Sequence, residues 1–404
     1  MIFGITRLSS FILSLSSCFF NIGGTPVAAD RPEDPIRVGY FSGTRTALLM
    51  RAYANNEFEK AGLPVEFYTA KFRSKEYKLI PRSITRFNEE SGGSFYAGKI
   101  RGTELTDGII DDKLDMAMIG EGSFLEALYA GKPLVAIAEL GHDVKEHSGH
   151  VLIIRNGIKV KSPKDLLGKI LVSRRAGPGD AAFLKAFLDK FGVDIKKDIL
   201  QLSSAKLPKN LEEKKKLPKD KVIVVDDLYE DLRDKGTTNG VIDGGYFHLQ
   251  SLEDDWISRN FYLLQPLHAW ADPELSHALL VCHKDYLRNN RQRLIKLIEV
   301  YIKRVKYEHS LSYEERTNTS YNNPRIDRGL KMACNIQGLN YPQYDLIPTV
   351  SVELLYGVQR LLIKYGDFKE KNIQMGDFVD NSLVYAALKY LGISAKDDHW
   401  QSEY

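Results

Sequence analysis

A glycine-containing stretch after a short apolar strand has the composition of an anion-binding turn. Residues 173–183 read SRRAGPGDAAF and follow the apolar residues KILV at 169–172. Free backbone N–H groups and the positive end of a helix dipole would there lie beside guanidinium groups. Guanidinium groups bind carboxylate, sulfonate or phosphonate groups through paired hydrogen bonds. The candidate ligand-binding residues of this stretch are Arg174, Arg175, Gly177, Gly179 and Asp180.

Two other turns repeat the order of strand, small-residue turn and helix start. One follows the strand predicted at 36–41, and the other follows the strand predicted at 114–119. Ligands of parallel α/β sheets bind outside the carboxyl ends of the strands. The three turns therefore predict one shared cleft. Because Glu121 places a carboxylate in one of the turns, a mixed-charge ligand is an alternative to a purely anionic one. The further candidates are Ser42, Gly43, Thr44, Arg45, Thr46, Gly120, Glu121, Gly122 and Ser123.

Three catalytic or cofactor-binding interpretations fit the same residues less well. Gly177 and Gly179 match a loose dinucleotide-binding pattern, but Pro178 removes one N–H from the phosphate cradle, and no acidic residue ends a strand about 20 positions later. No Gly-x-Ser-x-Gly nucleophile motif is present. A metal site at His142, His147 and His150, with Glu146, has irregular spacing that matches no common zinc pattern. We therefore expect no catalytic residue, no cofactor and no metal.

The elements that must position these turns alternate between strands and helices, which indicates an α/β fold with mostly parallel sheets. Gly62, Gly131 and Gly192 are predicted to end helices, and Ser162 with Pro163 to begin a short one. Ser123 and Glu126 are predicted to form a capping box. The chain beyond about residue 285 is predicted to be mostly helical. The predicted strands are 36–41, 64–70, 114–119, 133–140, 150–155, 169–172, 221–227 and 239–245.

The composition is that of an ordinary globular protein with an export signal. The 404 residues are 43% hydrophobic and 27% charged with a net charge of +3, which gives no bias towards nucleic acid. Residues 1–29 carry one charge and end in small residues, so we interpret them as a cleaved signal peptide. LSSC at 15–18 is an alternative lipobox, which would anchor the chain at Cys18. Cys282 and Cys334 are predicted to be buried free thiols.

Several segments, in order, resemble the periplasmic solute-binding proteins of nitrate/sulfonate/taurine-type ABC transporters, which are similar to thiamine-pyrimidine binders. The matching segments are RVGYFSGTRTALLMRAYANNEFEKAGLPVEF, LTDGIIDDKLDMAMIGEGSFLEALYAGKPLVAIAEL, GIKVKSPKDLLGKILVSRRAGPGDAAFLKAFLDKFGVD, GVIDGGYFHL and HALLVCHKDYLRNN. The resemblance implies a two-lobed, type II periplasmic-binding-protein-like fold with a hinge and a helical C-terminal tail. Lobe 1 would comprise residues 30–144 and 266–404, and lobe 2 residues 145–265. It also implies ligand contacts at Asp243 and Tyr246.

The resemblance implies an extracytoplasmic receptor of an ABC importer, a periplasmic monomer that captures a small organic ligand and delivers it to a membrane permease. The ligand would be anionic or mixed in charge, of sulfonate, phosphonate or carboxylate type. Two alternatives remain open: an enzyme on the same scaffold that acts on a heteroaromatic compound, and a ligand-sensing receptor. The pyrimidine synthases of this fold carry a cysteine-rich iron site, which three dispersed cysteines do not reproduce. The basic, aromatic segment 71–103 enlarges a link that is short in the family, and three interpretations stay open: a lid over the cleft, a docking surface for a partner, or a solvated insertion.

Overall fold

Twelve strands form two six-stranded sheets within the residues that the computed structural model describes. The described residues are 34–40, 44–71, 73–80, 100–142, 150–173, 178–226, 236, 238–248, 259–266, 277–311, 344–371 and 373–394. The strands of the first sheet are β1 Ile36–Gly39, β2 Val65–Ala70, β3 Tyr77–Leu79, β4 Met116–Gly120, β5 Leu134–His142 and β12 His277–His283. The strands of the second sheet are β6 His150–Arg155, β7 Ile170–Val172, β8 Ile199–Ser203, β9 Val222–Asp226, β10 Gly244–His248 and β11 Phe261–Pro266.

Helices flank both sheets. In chain order they are α1 Ala47–Ala54, α2 Glu57–Lys60, α3 Gly102–Ile110, α4 Glu121–Tyr129, α5 Pro178–Lys190, α6 Leu211–Lys215, α7 Lys284–Asn289, α8 Arg291–Ser310, α9 Val352–Tyr365 and α10 Ser382–Leu391. Short 3₁₀ helices lie at Thr44–Thr46, Pro163–Leu166, Ser204–Lys206 and Met375–Phe378. No helix among these described residues is long and apolar enough to cross a membrane.

The strand order of each sheet combines parallel strands with a few antiparallel ones. The first sheet has the order β3-β2-β1-β4-β12-β5, in which β1, β2 and β4 are parallel and β12 is antiparallel to both of its neighbours. The second sheet has the order β11-β6-β10-β7-β9-β8, in which β6 is antiparallel to both of its neighbours. The carboxyl ends of β1, β4 and β5 therefore lie at the same edge as the amino end of β12.

Two passages of the chain join the sheets, and both join the same edges. The chain leaves the carboxyl end of β5 and enters the amino end of β6, which lies beside the carboxyl ends of β7 and β10. It returns from the carboxyl end of β11 to the amino end of β12. The carboxyl edge of one sheet is thus connected twice to the carboxyl edge of the other, and these are the edges at which ligands of parallel sheets bind.

Both faces of the central strands are buried, which explains why they read as continuous apolar runs. In β4, Met116 and Met118 enter one hydrophobic core, whereas Ala117 and Ile119 enter another. The second core also contains residues of β6, β7 and β9 from the other sheet. Helix α9 belongs to this core and packs against α4 and α5, so it contacts a helix from each sheet.

The predicted elements are largely confirmed, with three corrections. The helix predicted to run to Gly62 is interrupted at Asn55 and Asn56, because Asn56 adopts a left-handed conformation with φ 57°. The Ser123–Glu126 capping box is wrong, since α4 begins at Glu121 and Ser123 lies inside it. The strand predicted at 239–245 begins only at Gly244.

The start of β10 is set by two close backbone contacts. A Cβ at Gly244 would lie 2.3 Å from the carbonyl oxygen of Ile153, and one at Gly245 would lie 2.1 Å from that of Val172. Only glycine can therefore occupy these positions between β6 and β7. By contrast, the helix start at Ser162–Pro163 is confirmed, because a 3₁₀ helix begins at Pro163 and the Asp165 carboxylate accepts a hydrogen bond of 2.8 Å from the Ser162 N–H.

Candidate functional site

A group of polar side chains lies at the edge where the chain leaves the first sheet. Glu139 and His142 lie at the end of β5, and His277 is the first residue of β12. Glu121 opens α4 directly after β4, and Arg45 lies in the 3₁₀ helix that follows β1. We call these five residues the edge cluster.

A β-bulge places Glu139 and His142 on one face of β5. Side chains three residues apart in a regular strand point to opposite faces. Here Ala278 pairs with Gly141 and Leu279 pairs with Glu139, so Leu140 is an extra residue and the alternation shifts by one. His277 pairs directly with His142, and directly opposed side chains share a face. The bulge therefore brings all three side chains together.

The Glu139 carboxylate lies between the two imidazoles. One oxygen, Oε1, contacts His142 Nδ1, and the other, Oε2, lies 2.8 Å from His277 Nδ1. The two imidazole rings stack with centroids 5.2 Å apart and an interplanar angle of 30°. All three residues are buried. The ligand atoms of Glu139, His142 and His277 lie within 4.8 Å of one another, which is a spacing that could hold a metal ion.

Carboxylates and imidazoles together determine the electrostatics of the edge cluster. Burial by itself raises the pKa of Glu139, but the charges and hydrogen bonds of His277 and His142 outweigh it and lower that pKa to about 2. Asp345 Oδ2 lies 3.8 Å from His142 Nδ1 and adds another carboxylate. Burial, together with the charges of Glu139 and Asp345, raises the pKa of Tyr301 well above its ordinary value.

Arg45 and Glu121 form an oppositely charged pair within the cluster. Arg45 Nη1 lies 3.7 Å from Glu121 Oε2, and the Arg45 side chain is 14% exposed. The same Glu121 oxygen accepts a hydrogen bond of 3.1 Å from the His277 backbone N–H. Glu121 therefore connects the start of α4 to the start of β12. Both residues were candidates from the sequence, and the structure brings them together.

The other candidates of the first sheet lie at the same edge. Gly120 ends β4, and Gly122 and Ser123 lie in the first turn of α4. Ser123 packs closely on α3, because a Cβ added at Gly102 would lie only 2.4 Å from the Cβ of Ser123. Thr46 is buried, and Thr44 begins the 3₁₀ helix. Ser42 and Gly43 lie outside the described residues.

The candidates of the second sheet are described only in part. Gly179 and Asp180 lie in the first turn of α5, which begins at Pro178 and is the next helix after β7. This confirms the predicted strand and the helix that follows it, whereas the predicted turn between them lies mostly outside the described residues. Arg174, Arg175 and Gly177, together with the alternative ligand His147, lie outside the described residues.

Asp243 and Tyr246 do not join the other candidates. Asp243 precedes β10 at its amino end, the opposite edge from the carboxyl ends, because the strand begins later than predicted. Its carboxylate accepts hydrogen bonds of 2.8 Å from the Ile170 N–H and 2.7 Å from Lys214 Nζ. The Tyr246 ring is buried and stacks on Phe183 of α5 with centroids 5.9 Å apart.

Sequence reasoning missed Glu139, His277 and Asp345. A glutamate within the apolar run PLVAIAEL was a usable signal, since a charged residue in a fully buried strand needs a partner. Its partner His277 could not be identified, because the pairing of β5 with β12 and the bulge are not legible in one sequence. His142 was considered as a metal ligand, but with His147 and His150 rather than with Glu139 and His277.

Comparison with known proteins identifies the family. The protein-family model described as "NMT1/THI5 like" matches residues 100–309, which are more than half of the chain. No curated protein matches the sequence. The periplasmic sulfonate-binding protein SsuA of a sulfonate ABC transporter from Methylobacillus flagellatus KT superposes with a TM-score of 0.60 at 16% identity, covering 90% of this chain and 96% of that one.

Two other solved structures share the fold. The ligand-binding component of an ABC-type import system from Staphylococcus aureus, with zinc bound, has a TM-score of 0.57 at 12% identity, with coverages of 88% and 99%. DSZB, a desulfurization enzyme, was solved as a mutant in complex with biphenyl-2-sulfinic acid and has a TM-score of 0.51 at 13% identity, with coverages of 88% and 100%. These likenesses confirm the periplasmic-binding-protein-like fold, and the chain belongs to the NMT1/THI5-like family.

Proposed function

We propose that the protein is an extracytoplasmic solute-binding receptor of an ABC importer that captures a small organic ligand between two lobes. The observation that carries the proposal is the double connection between the carboxyl edges of the two sheets. Turns at those edges would face one cleft, as ligand capture between lobes requires. The likeness to SsuA and to an import-system component supports the same role.

The two lobes of the proposal follow the sheets. Residues 30–144 and 266–404 would form lobe 1 and residues 145–265 lobe 2, with the cleft between them. Helix α9 contacts helices of both sheets, so the C-terminal region would also touch lobe 2. We propose that the lobes close by rotation about the two connections. The chain would be exported by a cleaved signal at 1–29 or anchored by a lipid at Cys18. It would act as a monomer that delivers its ligand to a membrane permease.

The ligand is proposed to be a small organic anion or a mixed-charge molecule. Arg45 from one lobe and Arg174 and Arg175 from the other would bind a sulfonate, phosphonate or carboxylate group. Glu121 lies beside Arg45, so a ligand that also carries an amine or ring N–H would find an acceptor.

The test is a thermal-shift screen of sulfonates, phosphonates, carboxylates, amino acids and pyrimidines, because a ligand that binds the native state raises its apparent stability. For the best ligand, Arg174→Ala and Arg175→Ala should each raise Kd about tenfold or more, since hydrogen bonds between charged groups contribute about 1.5–3 kcal/mol. Arg288→Ala is the matched control, because its side chain is 75% exposed on α7. Unchanged Kd values in both arginine variants would contradict an anionic ligand bound at this turn.

An enzyme on the same scaffold is the second candidate, because DSZB has this fold. Cys282 is fully buried in β12, where burial raises the pKa of its thiol, so this cysteine is not an accessible nucleophile. Incubation of the protein with each compound that binds, followed by mass spectrometry, separates the two functions. A receptor returns the compound unchanged, and an enzyme releases a product.

A further inference from the structure

We propose that Glu139, His142 and His277 form a binding site for a divalent transition-metal cation of the zinc class. This inference is independent of the organic ligand, and it departs from the expectation from sequence that the chain holds no metal. The site is not the one considered from the sequence, since it shares only His142 with that set.

The ligand types fit this class of cation. Two imidazole nitrogens and one carboxylate oxygen are ligands of zinc sites that leave a coordination position open for water or another molecule. Imidazole also favours first-row transition metals over Mg²⁺ or Ca²⁺, which prefer oxygen ligands.

The distances between the ligand atoms require only small adjustments. Ligand atoms about 2.0–2.2 Å from a tetrahedral zinc ion lie roughly 3.3 Å from one another. The candidate atoms here all lie within 4.8 Å of one another, and the 2.8 Å between Glu139 Oε2 and His277 Nδ1 would lengthen slightly when a cation enters. Both imidazoles present Nδ1 to the same carboxylate, so a cation would replace the protons that these groups now share.

The backbone holds the ligands in place. The bulge at Leu140 orients Glu139 and His142, and it is fixed from the other side because the Tyr301 hydroxyl donates to the Leu140 carbonyl. The Glu139 N–H donates to the Pro348 carbonyl at 2.9 Å. A site on paired strands, with each ligand fixed by its backbone, is more rigid than a site on loops.

The charge around the site favours a cation. Within the part of the chain that the structure describes, Glu139, Glu121 and Asp345 bring three carboxylates to the imidazoles, and the guanidinium of Arg45 lies beside Glu121. The His142 side chain retains 11% exposure, and the side chains of Glu139 and His277 are 7% and 5% exposed. The site is therefore nearly dry but still has a solvent-facing ligand through which a cation can enter.

The test uses the tag-free full chain, treated with a chelator and then titrated with Co²⁺ alone, with no organic ligand present. We expect one Co²⁺ per chain with the visible absorption of a four- or five-coordinate cobalt site, displacement by Zn²⁺, and a higher Tm in the presence of Zn²⁺. A featureless titration, or one without a defined stoichiometry, would overturn the proposal.

Two variants locate the cation. Glu139→Gln, which keeps the size and polarity of the side chain, and His142→Gln should each raise the Kd for Co²⁺ by about tenfold to a hundredfold or more, because each removes a direct ligand. His283→Gln is the matched control, since His283 lies at the other end of β12 and its Nδ1 accepts from the Asp285 N–H. Unchanged Kd values in folded Glu139→Gln and His142→Gln would overturn the assignment.

A measurement without variants covers the case in which neither variant folds. The X-ray absorption spectrum of the zinc-loaded native chain should show two imidazole ligands and at least one carboxylate oxygen. A zinc shell with fewer than two imidazoles would overturn the site. A failed solute screen would not, because the titration uses the metal alone.

Discussion

Glu139 and Asp243 are both buried carboxylates at strand ends, but they lie at opposite kinds of edge and have different partners. Asp243 lies at the amino end of β10, where Lys214 and the Ile170 N–H supply its hydrogen bonds. Glu139 lies near the carboxyl end of β5, where two imidazoles contact it. One carboxylate is paired with a lysine and a backbone amide, and the other with side chains that can also bind metals.

The difference separates a structural carboxylate from a candidate functional one. Both of the Asp243 oxygens accept from donors that also position β7 and α6, so this residue holds the second sheet together. The Glu139 partners are imidazoles at the edge where the two sheets are joined, and a ligand or metal can replace their contact. Burial alone does not distinguish the two cases, whereas the type of partner and the edge of the sheet do.

The largest effect on stability is expected from Asp243→Ala. This change leaves the Ile170 N–H without its acceptor and leaves the half-buried Lys214 ammonium with only the Gly240 carbonyl, so we expect a cost of about 3 kcal/mol, the lower end of the range for breaking a buried ion pair. The free energy of unfolding, measured in urea, should fall by that amount. Asp220→Ala, at an exposed position before β9, should change it by less than about 0.5 kcal/mol. If both variants lost the same small amount of unfolding free energy, the structural role of Asp243 would be contradicted.

A smaller effect is expected from Gly141→Ala, which addresses the other region. A Cβ at Gly141 would lie 3.1 Å from the Arg45 carbonyl oxygen and 3.1 Å from the Tyr344 ring, so the bulge would have to shift. Overpacking of this kind costs about 1–3 kcal/mol. Urea unfolding measures the loss, and the Co²⁺ affinity should fall with it. Gly376→Ala, where a Cβ would meet nothing within 4 Å, is the control. A Gly141→Ala variant as stable as Gly376→Ala would contradict the tight packing of the bulge.

The smallest effect on stability is expected from Arg45→Gln. Both side chains are largely buried, but their 3.7 Å separation is too long for a strong hydrogen bond and glutamine keeps a donor beside Glu121, so the loss should be about 1 kcal/mol. If Arg45 instead serves the proposed anionic ligand, the Kd for that ligand should rise about tenfold while the urea midpoint stays nearly constant. A large loss of stability without any change in Kd would make Arg45 a structural residue, like Lys214.

The layers of the fold were predictable because their signals are local. The apolar runs of β4 to β7 and the alternation of strands with helices required no long-range information. The same was true of the helix start at Ser162 and Pro163, where the capping residues are neighbours in the chain. Gly120–Ser123 and Arg45 were also placed at the correct edge, because the order of strand, turn and helix fixes which end of the strand a turn follows.

The parts of the fold and site that the sequence did not predict depend on pairing between strands that are distant in the chain. The start of β10 is set by the close approach of Gly244 and Gly245 to β6 and β7, which moved Asp243 to the opposite edge. The grouping of Glu139 with His277 depends on one extra residue at Leu140 in the pairing of β5 with β12. Neither a close approach nor a bulge leaves a periodic signal in the chain, so neither could be derived from composition or spacing.

Helix α9 has a consequence for the order in which the protein forms. Its apolar face packs on α4 and α5, and its last turn contacts α5 directly, since Lys364 and the Tyr365 hydroxyl donate to Asp189 at 3.0 and 2.7 Å. Because α9 spans residues 352–365, a growing chain presents the apolar faces of α4 and α5 to solvent until those residues have been synthesised. During that interval, a chaperone that binds apolar surfaces would protect these two helices from aggregation.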